Sequence, residues 1–405
     1  MGTVRAGVGH STGTDGSEAG REALAAAVTD LPDDPTLVYV FASSEFDTTA
    51  VFEAIDAETD AVIAGTTTAG EIVNTSSYTE SVGVLALAGD GIDAATAGAA
   101  YGDDVGAAAT TATEAALSAL GANPLATDCV AEDGEGWASY PRLVTSVFAD
   151  YEADTADLMP NVTDVLGSAT VHGGIAADDW KYDGSARVLA DEVVERGVAV
   201  TAVELDVKSG VSVRHGIDPT DTSFEITAIE GDTVSEFDGR PALDAYEEIV
   251  GPQVTNDQFR ITVPLGFDVG EEEPRIHVAY AIDEDERTMS FTGGQRLSVG
   301  DVGKLMDPNG DDVVRGAAGA IDTALAAAGD PDDVAAVVVH DCLCRWFFLS
   351  NTESRERELD ALRNAVGDNV PIVGWYTAGE LRWPDTFGGN FDQTMVVWVL
   401  TNESL

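Results

Sequence analysis

Lysine is nearly missing from this chain of 405 residues: only Lys181, Lys208 and Lys304 stand among 20 basic residues, against 73 acidic ones, for a formal net charge of −53. A surface so poor in cations offers no basic patch to displace the counterions of a phosphate backbone. That argues against nucleic acid and anionic membranes as partners. The acid is dispersed over the whole length and not gathered into a tail. Dispersed Asp and Glu with almost no Lys suit molar salt, where self-repulsion is screened and carboxylates hold water and cations. The charge thus points to a halophilic source and reports habitat, not activity.

Cysteine is scarce as well. Cys129, Cys342 and Cys344 are too few for a framework of bridges, and reduced thiols are expected. The five histidines, His10, His172, His215, His277 and His340, lack metal-ligand spacing, so no metal site is expected. No apolar run approaches the ~20 residues needed to span a bilayer, and the N-terminus lacks the apolar core of a signal peptide. The expected location is the cytoplasm. Apolar residues themselves are plentiful, at 44%, and the length exceeds one ordinary core, so two or more domains are expected.

Ile372-Val-Gly-Trp-Tyr-Thr-Ala-Gly-Glu380-Leu381 has a near twin at Ile63-Ala-Gly-Thr-Thr-Thr-Ala-Gly-Glu71-Ile72. Each copy follows an apolar strand, a stretch with helical spacing and a second short strand, and each precedes another apolar run. A shared motif in a shared context suggests internally repeated strand-helix-strand units in a mixed α/β fold.

Along the chain, Val4 to Gly9 reads as a strand, with Gly7-x-Gly9 as a tight turn toward an Ala-rich helix. Leu37 to Phe41, a helix from Asp47 to Ala57, Ala61 to Ala64 and a returning strand from Val82 to Ala88 form the first motif unit; Ala107 to Leu120 is helical. Leu143 to Phe148 and a helix broken near Pro160 lead to Gly167-Ser-Ala-Thr170, read as a degenerate copy of Gly65-Thr-Thr-Thr68. Val198 to Leu205 is a strand. Ser223 to Ile229 and Thr233 to Phe237 form a hairpin around Glu230-Gly-Asp that marks a boundary, giving domains 1–235 and 236–405. Then come a helix from Pro241 to Val250, a strand from Arg275 to Tyr280, a turn at Gly293-Gly294 and a helix from Asp312 to Ala328. The last unit is a strand from Val334 to Val339, Cys342-Leu-Cys-Arg345, a helix burying Leu359, Leu362 and Val366, the motif strand, and a closing strand from Thr394 to Leu400.

Gly65 to Glu71, Gly167-Ser-Ala-Thr, Arg240-Pro-Ala-Leu-Asp, Cys342-x-x-Arg345, Gly374 to Glu380 and Asp392-Gln-Thr-Met, in this order, resemble the FIST family, with its N-terminal and C-terminal domains. The resemblance spans nearly the whole chain; Asp392 stands where Asn is expected. It implies a cytoplasmic sensory module for signal transduction that binds a small molecule, amino acids being the usual suggestion. Some members look like haem-dependent gas sensors, so haem is a minor alternative to the expectation of no cofactor. With no room for an attached output domain, the expected output is through an unidentified signalling protein.

The candidate ligand-binding residues are Gly65, Thr68, Gly70, Glu71, Cys342, Arg345, Gly374, Tyr376, Thr377, Gly379 and Glu380. Glycines let the main chain turn or approach a ligand, Thr68 and Thr377 offer donors to a carboxylate, and Glu71 and Glu380 offer partners to an ammonium group. Equally, each Glu pins its own turn. Arg345 suits a carboxylate fork or a structural acid; Cys342 is either a thiolate beside Arg345 or an inert buried thiol; Tyr376 covers a ligand or packs a core. Two carboxyls in one cleft would also permit acid-base chemistry by Glu71 and Glu380, the enzyme alternative. An adaptor would instead show an exposed apolar patch.

Overall fold

Leu37–Ser43, Val82–Ala88 and Leu143–Ala149 are buried at every position. Such runs form strands covered on both faces, which calls for helices on one side and another sheet on the other. A computed structural model of the chain describes residues 2–124, 128–132, 137–292, 297–349, 352–384 and 389–405.

The first stretch holds β1 (Arg5–Ser11), α1 (Gly16–Val28), β2 (Leu37–Ser43), α2 (Thr48–Asp56), β3 (Val62–Thr68), β4 (Glu71–Val73), β5 (Ser76–Tyr78) and β6 (Val82–Ala88). The second holds β7 (Ile92–Ala100), α3 (Val105–Leu120), a hairpin of β8 (Asp128–Glu132) and β9 (Trp137–Pro141), β10 (Leu143–Ala149), α4 (Thr155–Leu166), β11 (Thr170–Ile175), β12 (Val188–Leu189), β13 (Val193–Val194) and β14 (Gly197–Leu205). After β15 (Val207–Arg214) comes a smaller unit: β16 (Pro219–Glu230), β17 (Thr233–Phe237), β18 (Arg240–Pro241), α5 (Ala242–Val250), α6 (Asp257–Ile261), β19 (Leu265–Phe267), β20 (Arg275–His277), β21 (Ala279–Asp283), β22 (Thr288–Phe291) and β23 (Val302–Met306). The third stretch, opened by β15, resumes with α7 (Gly310–Ala327), β24 (Val334–Cys342), α8 (Arg345–Phe348), α9 (Thr352–Val366), β25 (Ile372–Thr377), β26 (Glu380–Trp383), β27 (Gly389–Phe391) and β28 (Met395–Ser404).

Three six-stranded sheets follow one connection pattern: β1-β6-β2-β3-β12-β13, β7-β14-β10-β11-β26-β27 and β15-β28-β24-β25-β4-β5. In each, the last two strands come from a different stretch of chain, so every sheet is completed by a neighbour. Helices α1 and α2, α3 and α4, and α7 and α9 cover the outer faces. The inner faces meet in a shared core containing Tyr39, Phe41, Phe148, Trp375 and Trp398.

A buried polar chain runs through that core and joins all three sheets. Trp375 Nε1 donates to His340 Nδ1 at 2.7 Å, His340 Nε2 lies 2.8 Å from His172 Nδ1, His172 Nε2 lies 3.0 Å from Ser146 Oγ, and Ser146 meets Tyr39 OH at 2.5 Å. Indole is a donor only, so His340 must accept on Nδ1 and, when neutral, carry its proton on Nε2, and His172 then carries its own on Nε2. Burial keeps both imidazoles neutral, pushing His340 down to about 3 and His172 well below the ordinary range.

Asp15, Asp47, Asp104, Asp154 and Asn309 cap α1, α2, α3, α4 and α7 with side-chain oxygens on backbone N–H groups, satisfying donors that have no partner within the helix. Several sequence expectations change. Gly7 and Gly9 lie inside β1, not in a turn; a Cβ there would come within 2.0 Å of Ala27 O and 2.2 Å of Ala23 O, so their role is to let α1 lie against the strand. Pro160 does not break α4, which continues to Leu166 while the Asn161 amide donates to Asp157 O. The hairpin expected around Glu230 is present as β16–β17. The turn expected at Gly293-Gly294 and the side chain of Cys129 lie outside the described residues. Among the described residues, no helix is long and apolar enough to cross a membrane.

Candidate functional site

Both Thr-Ala-Gly-Glu turns follow the second strand of a parallel pair. Gly65 pairs with Val40 and Gly374 with Val339. The residue at this register in the second stretch is Gly173, opposite Val147. Gly167, read from sequence as the counterpart, instead caps α4. The reason is steric: a Cβ on Gly65 or Gly173 would lie 1.8 Å from the opposing Val40 or Val147 carbonyl oxygen, so glycine is demanded at that point.

Beyond these glycines the chain crosses to the neighbouring sheet. Glu71 pairs with Trp375, Glu380 with Gly174, and Val188 with Thr66. Main-chain hydrogen bonds close the weave: Ala69 N–H to Tyr376 O, Ala378 N–H to Ile175 O, and Ala177 N–H to Thr67 O. Gly70 and Gly379 N–H groups go to Thr68 Oγ1 and Thr377 Oγ1, each at 3.2 Å. These backbone donors are therefore paired inside the protein.

Glu71 is fully buried and accepts from the hydroxyls of Thr68 and Ser81. Burial raises its carboxyl to about 8, against the pull of those two hydrogen bonds. Glu380, also fully buried, accepts from Thr394 N at 3.1 Å and Thr394 Oγ1 at 2.8 Å, and burial, then the nearby Cys342, raises it well above the usual range. Ser81 and Thr394 occupy equivalent places, their carbonyls taking the N–H of Ser43 and Cys342; Gly197 takes that of Asp150. The second stretch thus has Val188 for the carboxyl and Gly197 for the hydroxyl, both halves of the pair being absent together.

Arg345 is also sealed. Its Nε lies 2.7 Å from Asp341 Oδ1, its Nη1 reaches the carbonyls of His215 and Gln393 at 3.3 and 3.4 Å, and its Nη2 reaches Val313 O at 2.9 Å and the Glu358 carboxylate. Both Nη nitrogens are hydrogen-bonded within the chain and Nε is ion-paired to Asp341. Burial drives the Cys342 thiol well up, so it is not a thiolate at neutral pH. Tyr376 is buried with Trp346 edge-on at 4.9 Å. Gly65, Thr68, Gly70, Glu71, Cys342, Arg345, Gly374, Tyr376, Thr377, Gly379 and Glu380 are all buried.

In the second stretch the equivalent turn becomes a loop, which is the candidate site. Asp179, Trp180 and Tyr182 have φ of 53°, 66° and 52°, a region that residues with a side chain rarely adopt and that clusters at functional sites. Asp178 anchors the loop, accepting from the N–H groups of Tyr182 and Asp183 at 3.0 Å each. Asp179 reaches Ser43 and Ser44 in the first stretch, Tyr182 packs on Tyr151 in the second at 5.6 Å, and Trp180 packs on Phe347 in the third at 5.1 Å. Tyr151 and Tyr182 stay open, 41% and 54% exposed. Sequence reasoning missed this loop, although one of three lysines beside two aromatics, in Asp178-Asp-Trp-Lys-Tyr182, was an available signal.

Among the described residues, no group of three or more His, Cys, Asp or Glu side chains is placed to hold a metal. His172, His215, His277 and His340 are all buried. A separate surface cleft of about 590 Å³ runs between the start of β1 and the ends of α7 and α9, and none of the motif residues lines it.

Residues 36–240 match the FIST N domain and residues 242–382 the FIST C domain. These are generally sensory domains of signal transduction, which sets the class of this protein. The chain belongs to the FIST family. It is 34% identical over 120 residues to the uncharacterized protein MJ1623 of Methanocaldococcus jannaschii, a match covering 27% of this chain and 23% of that protein. The cyanuric acid hydrolase of A. caulinodans aligns over 51% of this chain and 71% of its own at 15% identity, with a TM-score of 0.27, too low to say anything of function.

Proposed function

We propose that this protein senses a small zwitterionic metabolite, an amino acid or a close relative, at the mouth formed by Ser43, Ser44, Tyr151 and the loop 178–182, and passes the signal to a protein partner. The observation that carries this reading is the loop itself: three left-handed residues with side chains, held against all three stretches at one point. The place is the carboxyl end of the parallel pair β2–β3, where ligands favour open α/β sheets. Lys181 and the two serines offer donors to a carboxylate, and the exposed faces of Tyr151 and Tyr182 suit an ammonium group. The buried carboxyls and Arg345 hold this mouth in shape. A thermal-shift screen of amino acids and related metabolites in molar KCl tests it. A ligand at a hundred times its Kd adds about 2.7 kcal/mol, and a selective rise in Tm is expected; a flat response to every zwitterion counts against the reading.

A further inference from the structure

Asp179 places one carboxylate oxygen in a complete set of donors. Its Oδ2 accepts from Ser43 Oγ at 2.9 Å, Ser44 N at 2.6 Å and Ser44 Oγ at 2.8 Å. Lys181 Nζ lies 3.0 Å from Ser44 Oγ and 3.1 Å from the Glu45 carboxylate. Ser43 Oγ itself accepts the Glu45 N–H at 3.1 Å, which turns the Ser43 hydrogen toward Asp179. We infer that Ser43, Ser44 and Lys181 form a carboxylate-binding site which the chain fills with its own Asp179, and which the carboxylate of the ligand occupies when Asp179 withdraws. This rests on the sensory reading for the ligand, but not for the site.

The occupant is internal and its backbone is strained, whereas the donors sit on the end of a buried strand. Asp178 keeps its own hydrogen bonds on the loop, and the Asp179 N–H bonds Thr68 O at 3.0 Å, so the side chain can leave by rotation while the loop ends stay anchored. The serine pair belongs to the first stretch. The positions equivalent to Ser43 hold Asp150, whose carboxylate takes the Tyr101 hydroxyl at 2.5 Å, and the buried Cys342.

The test uses acetate as the probe and Asp179→Gly in the full chain, since glycine accepts a φ of 53° while removing the carboxylate. At equal ionic strength, potassium acetate should raise the Tm of Asp179→Gly above its value in KCl and leave the natural protein unmoved. At ten times its Kd, acetate lowers the unfolding constant about 11-fold. Adding Ser44→Ala should abolish the response. An equal response of Asp179→Gly and the natural protein overturns the inference. Should Asp179→Gly fail to fold, Asp179→Asn keeps the shape: acetate must slow exchange of the Ser44 amide more in that variant than in the natural protein, and equal exchange overturns the inference. A metabolite shift without acetate rescue sinks this site and leaves the sensory reading standing; acetate rescue without any metabolite shift does the reverse.

Discussion

The turn after β3 and the turn after β11 leave their sheets at the same register and end differently. After β3 the chain buries Glu71 under two hydroxyls and crosses within three residues. After β11 the carboxyl is Val188, the hydroxyl is Gly197, and the intervening chain opens into the loop 178–182. The β25 turn follows the first pattern with Glu380 and Thr394. Where a buried carboxyl latches the crossing, the turn is short and closed; where the latch is missing, the turn is long, polar and strained. The two turns thus leave equivalent registers and differ in whether a carboxyl closes them.

The sharpest way to break this comparison is to give the second turn a carboxyl without its hydroxyl. Val188→Glu places an acid at a fully buried position with nothing to receive it, and should cost about 3 kcal/mol, read as a drop in denaturant midpoint in molar KCl. Removing an existing latch comes next: Glu380→Ala strands the Thr394 N–H and hydroxyl and should cost about 2 kcal/mol. Ser81→Ala removes one of two donors to Glu71 and should cost about 1 kcal/mol.

Glu71→Gln has the smallest effect at low pH and a distinct pH signature. The Glu71 carboxyl is raised from 4.5 to about 8 in the fold, so between those values the folded state binds more proton than the unfolded chain. Stability from this group is full below the unfolded value and is lost as pH rises toward 8, by at most about 1.4 kcal/mol per pH unit. Glutamine does not titrate, so the variant should gain on the natural protein steadily from pH 5 to pH 8; parallel profiles would show that the carboxyl is ionised or exposed. The buried histidines work in the opposite direction. With His340 lowered from 6.5 to about 3, its contribution is present above 6.5 and is lost as pH falls toward 3.

Much of the frame was legible in sequence. Strands apolar on both faces and the twin Thr-Ala-Gly-Glu runs are local signals, and the twin runs do occupy matching registers opposite Val40 and Val339. Which sheet each crossing strand joins was not legible, since β4, β12 and β26 each pair with residues more than a hundred positions away. That pairing also decides which glycine is constrained: Gly167 carries the sequence likeness, and Gly173 carries the contact. Glu71, Glu380 and Arg345 are fully buried, which charged residues seldom are. Their burial follows from partners on distant strands and helices that no spacing reveals. The link between Ser43 and Asp179 spans 136 residues and leaves no local trace.

The most direct measurement is a calorimetric titration in molar KCl, at pH 6, of the zwitterion that gives the largest thermal shift, against the natural protein, Ser44→Ala and Glu71→Gln. The account predicts an affinity loss of about tenfold or more for Ser44→Ala, as expected for a charge-assisted hydrogen bond, with Glu71→Gln binding like the natural protein. The opposite pattern, with Glu71→Gln losing the ligand and Ser44→Ala keeping it, would return the site to the Thr-Ala-Gly-Glu turns and contradict the account.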